Sequence, residues 1–435
     1  MTSTLIRPAL LSLLIFVAIG SSAQTSPDFP WDWSGVIGTG QSLSVGARAF
    51  DIKATNQPYG NLKLSTGNLQ WPIDPDNTNL VMVPLIEPVG RRSQAYPSSW
   101  PDNIEAETYH TAMADEISAL VHEKFGRDFI GVHSEVGENG QGMIYIKKGA
   151  QQHGVNGHSY QAAMIETKAI TRLAKAAGKT YGVGAIVVTH GETDAGNADY
   201  ENELQQLWQD YNTDIPAITG QTQAIQMIVS QQNSFGNRSA SAQAQWKIGQ
   251  DYPTSIVCSG PKYQYPYFTD GIHLTTDGYE ELGEKYGQIY FNRVILGQNW
   301  QPLYPTGIKH KRSAIKIQFH VPVPPLRLDT AFQPPHQSVP EWKNGKGFEV
   351  VTSSGTKVTI ESVKISRDSI VINCDSNPGP GAKVSYAMVA EKPRMSIPLG
   401  GTIRWGLLRD SDPFTGAVTQ KAQPNYCVAF ELTAN

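Results

Sequence analysis

GVIGTGQSLSVG, residues 35–46, decides how the rest of the chain is understood. Its first half is apolar and partly β-branched, which suits a strand covered on both faces. Its second half exchanges that character for glycine and small polar groups, so the chain turns where the strand ends. Gly38 and Gly40 permit a sharp turn without a Cβ clash, and Ser42 then stands off the strand's carboxyl end. A serine in that place is either a plain turn residue or a hydroxyl held out for chemistry. Because a hydroxyl is a poor nucleophile until a base takes its proton, the second case requires a base on the same rim.

Four further runs share the texture of the first: FIGVHS (129–134), GAIVVT (184–189), IQMIVS (225–230) and SIVCSG (255–260). Helical spacing lies between them, in Met113, Ile117, Leu120, Val121 and Phe125, in Met164, Ile170, Leu173 and Ala174, and in Tyr200, Leu204, Leu207, Trp208 and Tyr211. Gly178 stops the second of these patterns. A last helix is expected from about Thr276, with Tyr279, Leu282, Tyr286, Ile289 and Tyr290 on one side. Strands alternating with helices predict an α/β fold with a doubly wound parallel sheet, whose ligands gather at the carboxyl ends of the strands. Residues 51–104 show little periodicity and read as a loop-rich insertion that shapes a cleft. After Trp300 the chain becomes proline-dense, then alternates Ile315, Ile317, Phe319 and Val321 and continues in short strand-like runs, as an all-β sandwich-like domain does. The expected division is therefore 24–300 and 301–435. The basic run Lys309, His310, Lys311, Arg312 reads as a solvated edge.

The chain has 435 residues, 40% hydrophobic and 17% charged, which suits two globular domains. A net charge of −4 argues against a nucleic-acid partner. Residues 1–23 combine Arg7, an apolar stretch from Ala9 to Gly20 and the small residues Ser21, Ser22 and Ala23. They read as a secretory signal peptide cleaved after Ala23, which implies a secreted or periplasmic protein with no membrane attachment afterwards. Export permits disulfides. Of Cys258, Cys374 and Cys427, the last two are the expected pair, and three free buried thiols are the alternative.

The base is offered by FTDGIHLTTDG (268–278), just past the last strand. The Asp-x-x-His spacing lets Asp270 hold one imidazole nitrogen of His273 while the other faces Ser42. Acyl transfer also needs donors for the oxyanion. The loop HSEVGENGQG (133–142) offers the N–H groups of Gly137, Gly140 or Gly142, and the loop THGETDAG (189–196) offers His190, Glu192 and Asp194. His190, Glu192, Asp194, His133 and His153 lack a recognisable ligand spacing such as His-x-x-x-His, so no metal is expected. His110 and His122 read as ordinary core or surface histidines, and Glu201 and Glu203 as an exposed helix face. Tyr59, Trp71, Tyr96 and Trp100, with Trp342 and Trp405 further on, are either sugar-stacking platforms or plugs of small cores.

Serine first, a glycine loop second, a side-chain donor third and Asp-x-x-His last is an order that resembles the SGNH, or GDSL-type, hydrolases. GQS, GENGQGMIYIKKG and HGETD look most like the branch with sialate O-acetylesterases and acetylxylan esterases. The resemblance covers residues 35 to about 295. It implies a flavodoxin-like three-layer domain that removes acetyl groups from carbohydrates without a cofactor. On this chain it makes Ser42 the nucleophile, His273 the base and Asp270 its orienting acid, with the N–H groups of Ser42 and Gly140 serving the oxyanion. Where the wider family has Asn and this branch usually Gln, this chain has His190, whose neutral ring can donate from one nitrogen, with Glu192 as its possible support. Two other functions suit the same sequence: a glycan-binding protein with a degenerate esterase domain, and a short-chain lipid or aryl esterase.

Overall fold

The computed structural model describes residues 29–66, 71–90, 106–152, 155–156, 158–233, 238–330, 340–388 and 405–434. The expected signal peptide, Tyr96, Trp100 and His153 lie outside them, as does the side chain of Trp342.

The five predicted strands form at β1 (Trp33–Gly40), β4 (Gly131–Glu135), β7 (Tyr181–Thr189), β8 (Gln226–Gln231) and β9 (Ile256–Pro261). They pair in parallel in the order β4-β1-β7-β8-β9. Successive side chains on these strands face opposite ways, so each strand feeds two cores. Val36, Ala185 and Val187 meet α1 (His110–Phe125) and α6 (Thr276–Tyr290) on one face. Ile37, Ile186 and Val188 meet α3 (His158–Ala176) and α4 (Tyr200–Thr219) on the other, with α5 (Ala240–Asp251) beside them. Apolar residues on both faces explain why these runs lack the alternation of a half-exposed strand. Helix α3 ends where the sequence predicts, and Gly178 beyond it takes a φ of 68°.

The stretch read as a loop-rich insertion adds two strands to this sheet. β2 (Leu62–Ser65) runs parallel beside β4, and β3 (Val81–Pro84) runs antiparallel at the edge, which makes the sheet mixed and seven-stranded. Each has four residues, too few to show a period. Between β4 and α3 come the short α2 (Met143–Ile146) and a small hairpin of β5 (Gln151–Gln152) and β6 (Val155–Asn156).

Among the described residues beyond 300 all strand pairing is antiparallel. One sheet has the order β10 (Tyr304–Lys311), β11 (Ala314–His320), β16 (Ser369–Cys374), β15 (Ile360–Ser366). The other has the order β14 (Lys357–Val358), β13 (Phe348–Val351), β17 (Lys383–Tyr386), β19 (Phe430–Thr433). β12 (Arg327–Leu328) pairs with β18 (Leu408–Arg409), and a short helix, α7 (Pro340–Gly345), precedes β13. Ile315, Ile317 and Phe319 of one sheet share an apolar cluster with Phe348, Val384 and Phe430 of the other. Trp246, Cys258 and Tyr263, from the parallel part of the chain, belong to the same cluster. Lys309, Lys311 and Arg312 are exposed at the β10 edge.

Many polar contacts join the region beyond residue 300 to the parallel part of the chain, among them those of Gln231 and Glu284. The Gln231 amide accepts from the Ala429 N–H and donates to its carbonyl, both at 2.7 Å. The Glu284 carboxylate on α6 accepts from the N–H groups of Val418 and Thr419 at 2.7 and 2.6 Å. The expected Cys374–Cys427 bond is not formed, since all three thiols are free and buried. Each packs as a small hydrophobe in the apolar cluster shared by the two antiparallel sheets. Among the described residues no helix is long and apolar enough to cross a membrane.

Candidate active site

All the parallel strands end on one rim, and four of the loops that follow them meet there. Gly40 closes β1 with a φ of 145°, and a Cβ on it would collide with the Thr189 carbonyl of β7. This third glycine of the opening stretch is therefore required both by backbone angle and by space. The chain then folds into a tight turn, with Ser44 N–H donating to the Gln41 carbonyl at 2.8 Å and Ala47 N–H to that of Ser42 at 3.0 Å. Ser42 is carried on this turn and is only 6% exposed.

Past β9 the chain makes a small hairpin-like excursion, bridged at Tyr267 and Leu274, with Gly271 at a φ of 69°. Thr275 caps α6 by accepting from Gly278 N–H at 3.2 Å, which anchors the arm that carries His273. His273 Nε2 lies 2.9 Å from Ser42 Oγ, and His273 Nδ1 lies 2.7 Å from Asp270 Oδ2. The second oxygen of Asp270 accepts from the N–H groups of Ile272 and His273 at 2.9 and 3.0 Å. Burial alone would raise the Asp270 carboxyl, but the bonds from the His273 ring and from these two N–H groups outweigh it. They hold the carboxyl below its ordinary value. A carboxylate kept ionised makes Nδ1 the protonated nitrogen and leaves Nε2 free to accept the Ser42 proton. The relay is partly open to solvent, with the side chains of His273 and Asp270 16% and 15% exposed.

Across from Ser42 lies the loop after β4. Glu138 N–H donates to the Gly40 carbonyl at 3.0 Å, which seats this loop on the end of β1. Gly140 is exposed with a φ of 72°, and Gly142 packs beside the Asp194 carboxylate. Among the described residues neither Ser42 N–H nor Gly140 N–H donates to a protein acceptor.

His190 is placed differently from the expectation. Its ring is fully buried, with Nε2 3.0 Å from the Gln141 carbonyl and Nδ1 2.8 Å from the Tyr200 hydroxyl. A carbonyl only accepts, so Nε2–H is spent on Gln141, and Nδ1 accepts from Tyr200. Burial pushes the ring below its ordinary pKa and keeps it neutral. Both nitrogens therefore serve the protein, and the ring holds the glycine loop in place. Asp194 assists by accepting from Met143 N–H at 2.7 Å. Glu192 pairs at 2.9 Å with Lys262, both side chains being almost wholly buried, and so ties the β7 loop to the start of the β9 loop.

Several residues were not singled out in the sequence. Lys262 is one, and Ser44 and Glu135 are others, joined to His110 and His133 in a buried polar cluster beneath the Ser42 turn. His110 is thus no ordinary core histidine. The usable signal was His133 and Glu135 two apart on a strand covered on both faces, which puts both on one side. Trp71 is a core plug, Trp405 is buried, and Tyr59 is 38% exposed. Glu201 and Glu203 are half-buried, with Glu203 bonded to Lys147 at 2.7 Å. Among the described residues no group of three or more His, Cys, Asp or Glu is arranged to hold a metal ion.

The fold and its rim thus define an α/β protein with a hydroxyl–imidazole–carboxylate chain at the carboxyl ends of a doubly wound sheet. No family model matches the sequence, and no curated protein is similar to it. Among solved structures the fold resembles XAC1771, a carbohydrate acetylesterase from Xanthomonas citri, with a TM-score of 0.55 at 12% identity over 92% of this chain and 80% of that one. A protein from Arabidopsis thaliana aligns over 61% of this chain and all (100%) of its own at 16% identity and a TM-score of 0.43. The carbohydrate acetylesterase Est24 from Sinorhizobium meliloti aligns over 59% and 96% at 12% identity and 0.33.

Proposed function

We propose that this chain is a serine esterase of the SGNH type that removes O-acetyl groups from carbohydrates. The observation that carries this is the Ser42–His273–Asp270 chain of hydrogen bonds, 2.9 and 2.7 Å long, between loops 231 residues apart. The fold likeness to the acetylesterase from Xanthomonas citri supports the choice of an acetylated glycan as substrate.

In this scheme Ser42 Oγ attacks the acetyl carbonyl while His273 Nε2 takes its proton. The ester carbon becomes tetrahedral, and its oxyanion is received by the N–H groups of Ser42 and Gly140. His273 then returns the proton to the departing sugar oxygen, which leaves an acetyl group on Ser42. Water, deprotonated by the same imidazole, releases acetate and restores the serine. Asp270 stabilises the imidazolium in both halves. His190 acts on the oxyanion indirectly by fixing the Gln141 carbonyl. No step calls for a metal or an organic cofactor. Residues 24–300 form the catalytic unit of this scheme, 301–435 a supporting β domain, and residues 1–23 the leader that sends the protein out of the cytoplasm.

Replacement of Ser42 by alanine tests the scheme. Hydrolysis of p-nitrophenyl acetate should fall by at least about 10³-fold with the thermal transition unchanged. Activity within tenfold of the wild type would remove Ser42 as nucleophile. Acetate release from acetylated xylan, mannan, pectin and sialic acids then identifies the glycan.

A further inference from the structure

We infer that Glu135 is a positioning residue for the esterase reaction, joining the turn that carries Ser42 to the loop that carries Gly140; the inference rests on the function proposed above. Glu135 closes β4, and its side chain is fully buried beneath the rim. Its Oε1 accepts from Gly137 N–H at 2.6 Å. The same oxygen lies 3.1 Å from Ser44 Oγ, which is also 2.8 Å from the Gln41 carbonyl and shares its one proton between the two acceptors. A single carboxylate oxygen thus holds both sides of the oxyanion site, the turn through Ser44 and the glycine loop through Gly137.

The other oxygen is held from behind. His110 Nε2 lies 2.9 Å from Oε2, and the Tyr109 hydroxyl donates to it at 3.4 Å. His110 Nδ1 is 3.0 Å from His133 Nδ1. With Nε2–H of His110 donated to the carboxylate, its Nδ1 accepts from His133 Nδ1–H, so the donors run in one direction from His133 through His110 to Glu135. Burial pushes His110 down to about 3 and His133 well below its ordinary value, so both rings stay neutral at working pH. Space is reserved for the cluster by sequence: a Cβ on Gly38 would strike His110, Tyr109 and Glu135, and one on Gly137 would strike Ser44. The glycines of the opening stretch therefore divide their work, Gly40 admitting the neighbouring strand and Gly38 admitting the carboxylate.

Positioning through an acceptor oxygen makes a specific demand. Glu135→Ala removes the acceptor, whereas Glu135→Gln keeps a carbonyl oxygen toward Ser44 and Gly137. Its amide nitrogen then faces His110, whose neutral ring can exchange tautomers. Steady-state kinetics on p-nitrophenyl acetate should show kcat lowered about 100-fold in Glu135→Ala, on the scale seen for lost oxyanion donors, with KM within twofold. Glu135→Gln should recover to within about fivefold of wild type, and Ser44→Ala should lose about tenfold. Ser44→Ala deletes one hydroxyl and carries the test if Glu135→Ala does not fold. A kcat within twofold of wild type in either alanine variant, or a glutamine variant as impaired as Glu135→Ala, would overturn the inference. Labelling by a fluorophosphonate separates this failure from the larger one. Wild-type protein that does not label at Ser42 defeats the proposed function, whereas equal labelling rates in wild type and Glu135→Ala defeat only the role of Glu135.

Discussion

Among the described residues, the two shortest histidine–carboxylate pairs are of nearly equal length. His273 and Asp270 lie 2.7 Å apart at the rim with 16% and 15% of their side chains exposed. His110 and Glu135 lie 2.9 Å apart in the interior with none exposed. The difference is in what each ring can do next. The far nitrogen of His273 meets a hydroxyl that can surrender a proton and solvent that can stabilise the resulting charge. The far nitrogen of His110 meets another buried imidazole, and the dry surroundings forbid a cation. A short bond between imidazole and carboxylate is therefore not by itself a catalytic base. Access to a second proton carrier and some water separate a working pair from a structural one.

The strongest way to break this contrast is at Asp270. Asp270→Asn leaves the outline of the rim intact but presents an amide to Nδ1, favouring the wrong tautomer. It should lower kcat about 10³- to 10⁴-fold, measured as acetate release at constant folded fraction. A loss under tenfold would mean that the rim pair is as structural as the interior one.

The interior is sharpened next by a buried ion pair, Glu192 with Lys262. Lys262→Met strips the cation from a buried carboxylate and should cost about 3–5 kcal/mol of unfolding free energy. Denaturant titration measures this, and a cost below about 1 kcal/mol would place the pair among the weakly contributing surface contacts.

A smaller effect distinguishes the two imidazoles by pH. An unfolded histidine takes up a proton near 6.5, whereas folded His110 resists protonation down to about 3. Between those values the unfolded state binds a proton that the folded state refuses, so stability must fall as pH falls. The slope attributable to His110 is about 1.4 kcal/mol per pH unit. His110→Asn should flatten the acid limb of the stability profile by that amount below pH 6. An unchanged limb would show that the cluster opens before it titrates.

The rim was more legible in the sequence than the layer beneath it. Ser42, Asp270 and His273 sit in loops directly after strands, and a parallel sheet gathers such loops whatever the lengths between them. The five central strands and four of the helices announced themselves by apolar runs and by helical spacing. What stayed hidden depends on cross-chain register. Glu135 reads as one polar residue ending an apolar strand, and only its pairing beside Gly38 shows what it faces. Lys262 reads as a surface lysine until the loop after β7 brings Glu192 against it. His190 occupied the predicted loop, but the direction of its ring is set by Tyr200 on α4, beyond local sequence. β2 and β3 escaped because four residues carry no period, and the missing disulfide because the arrangement of the two final sheets cannot be deduced from spacing.

The contact between Ser42 and His273 spans 231 residues, from the first strand of the sheet to the loop before its last helix. A ribosome must therefore deliver the whole intervening stretch before hydroxyl and imidazole can meet. Under the proposed function, the nascent chain would be inert throughout its early synthesis and would gain reactivity in one late event. A backbone nick in an exposed loop between the two would leave the machinery working as long as the fragments stayed associated.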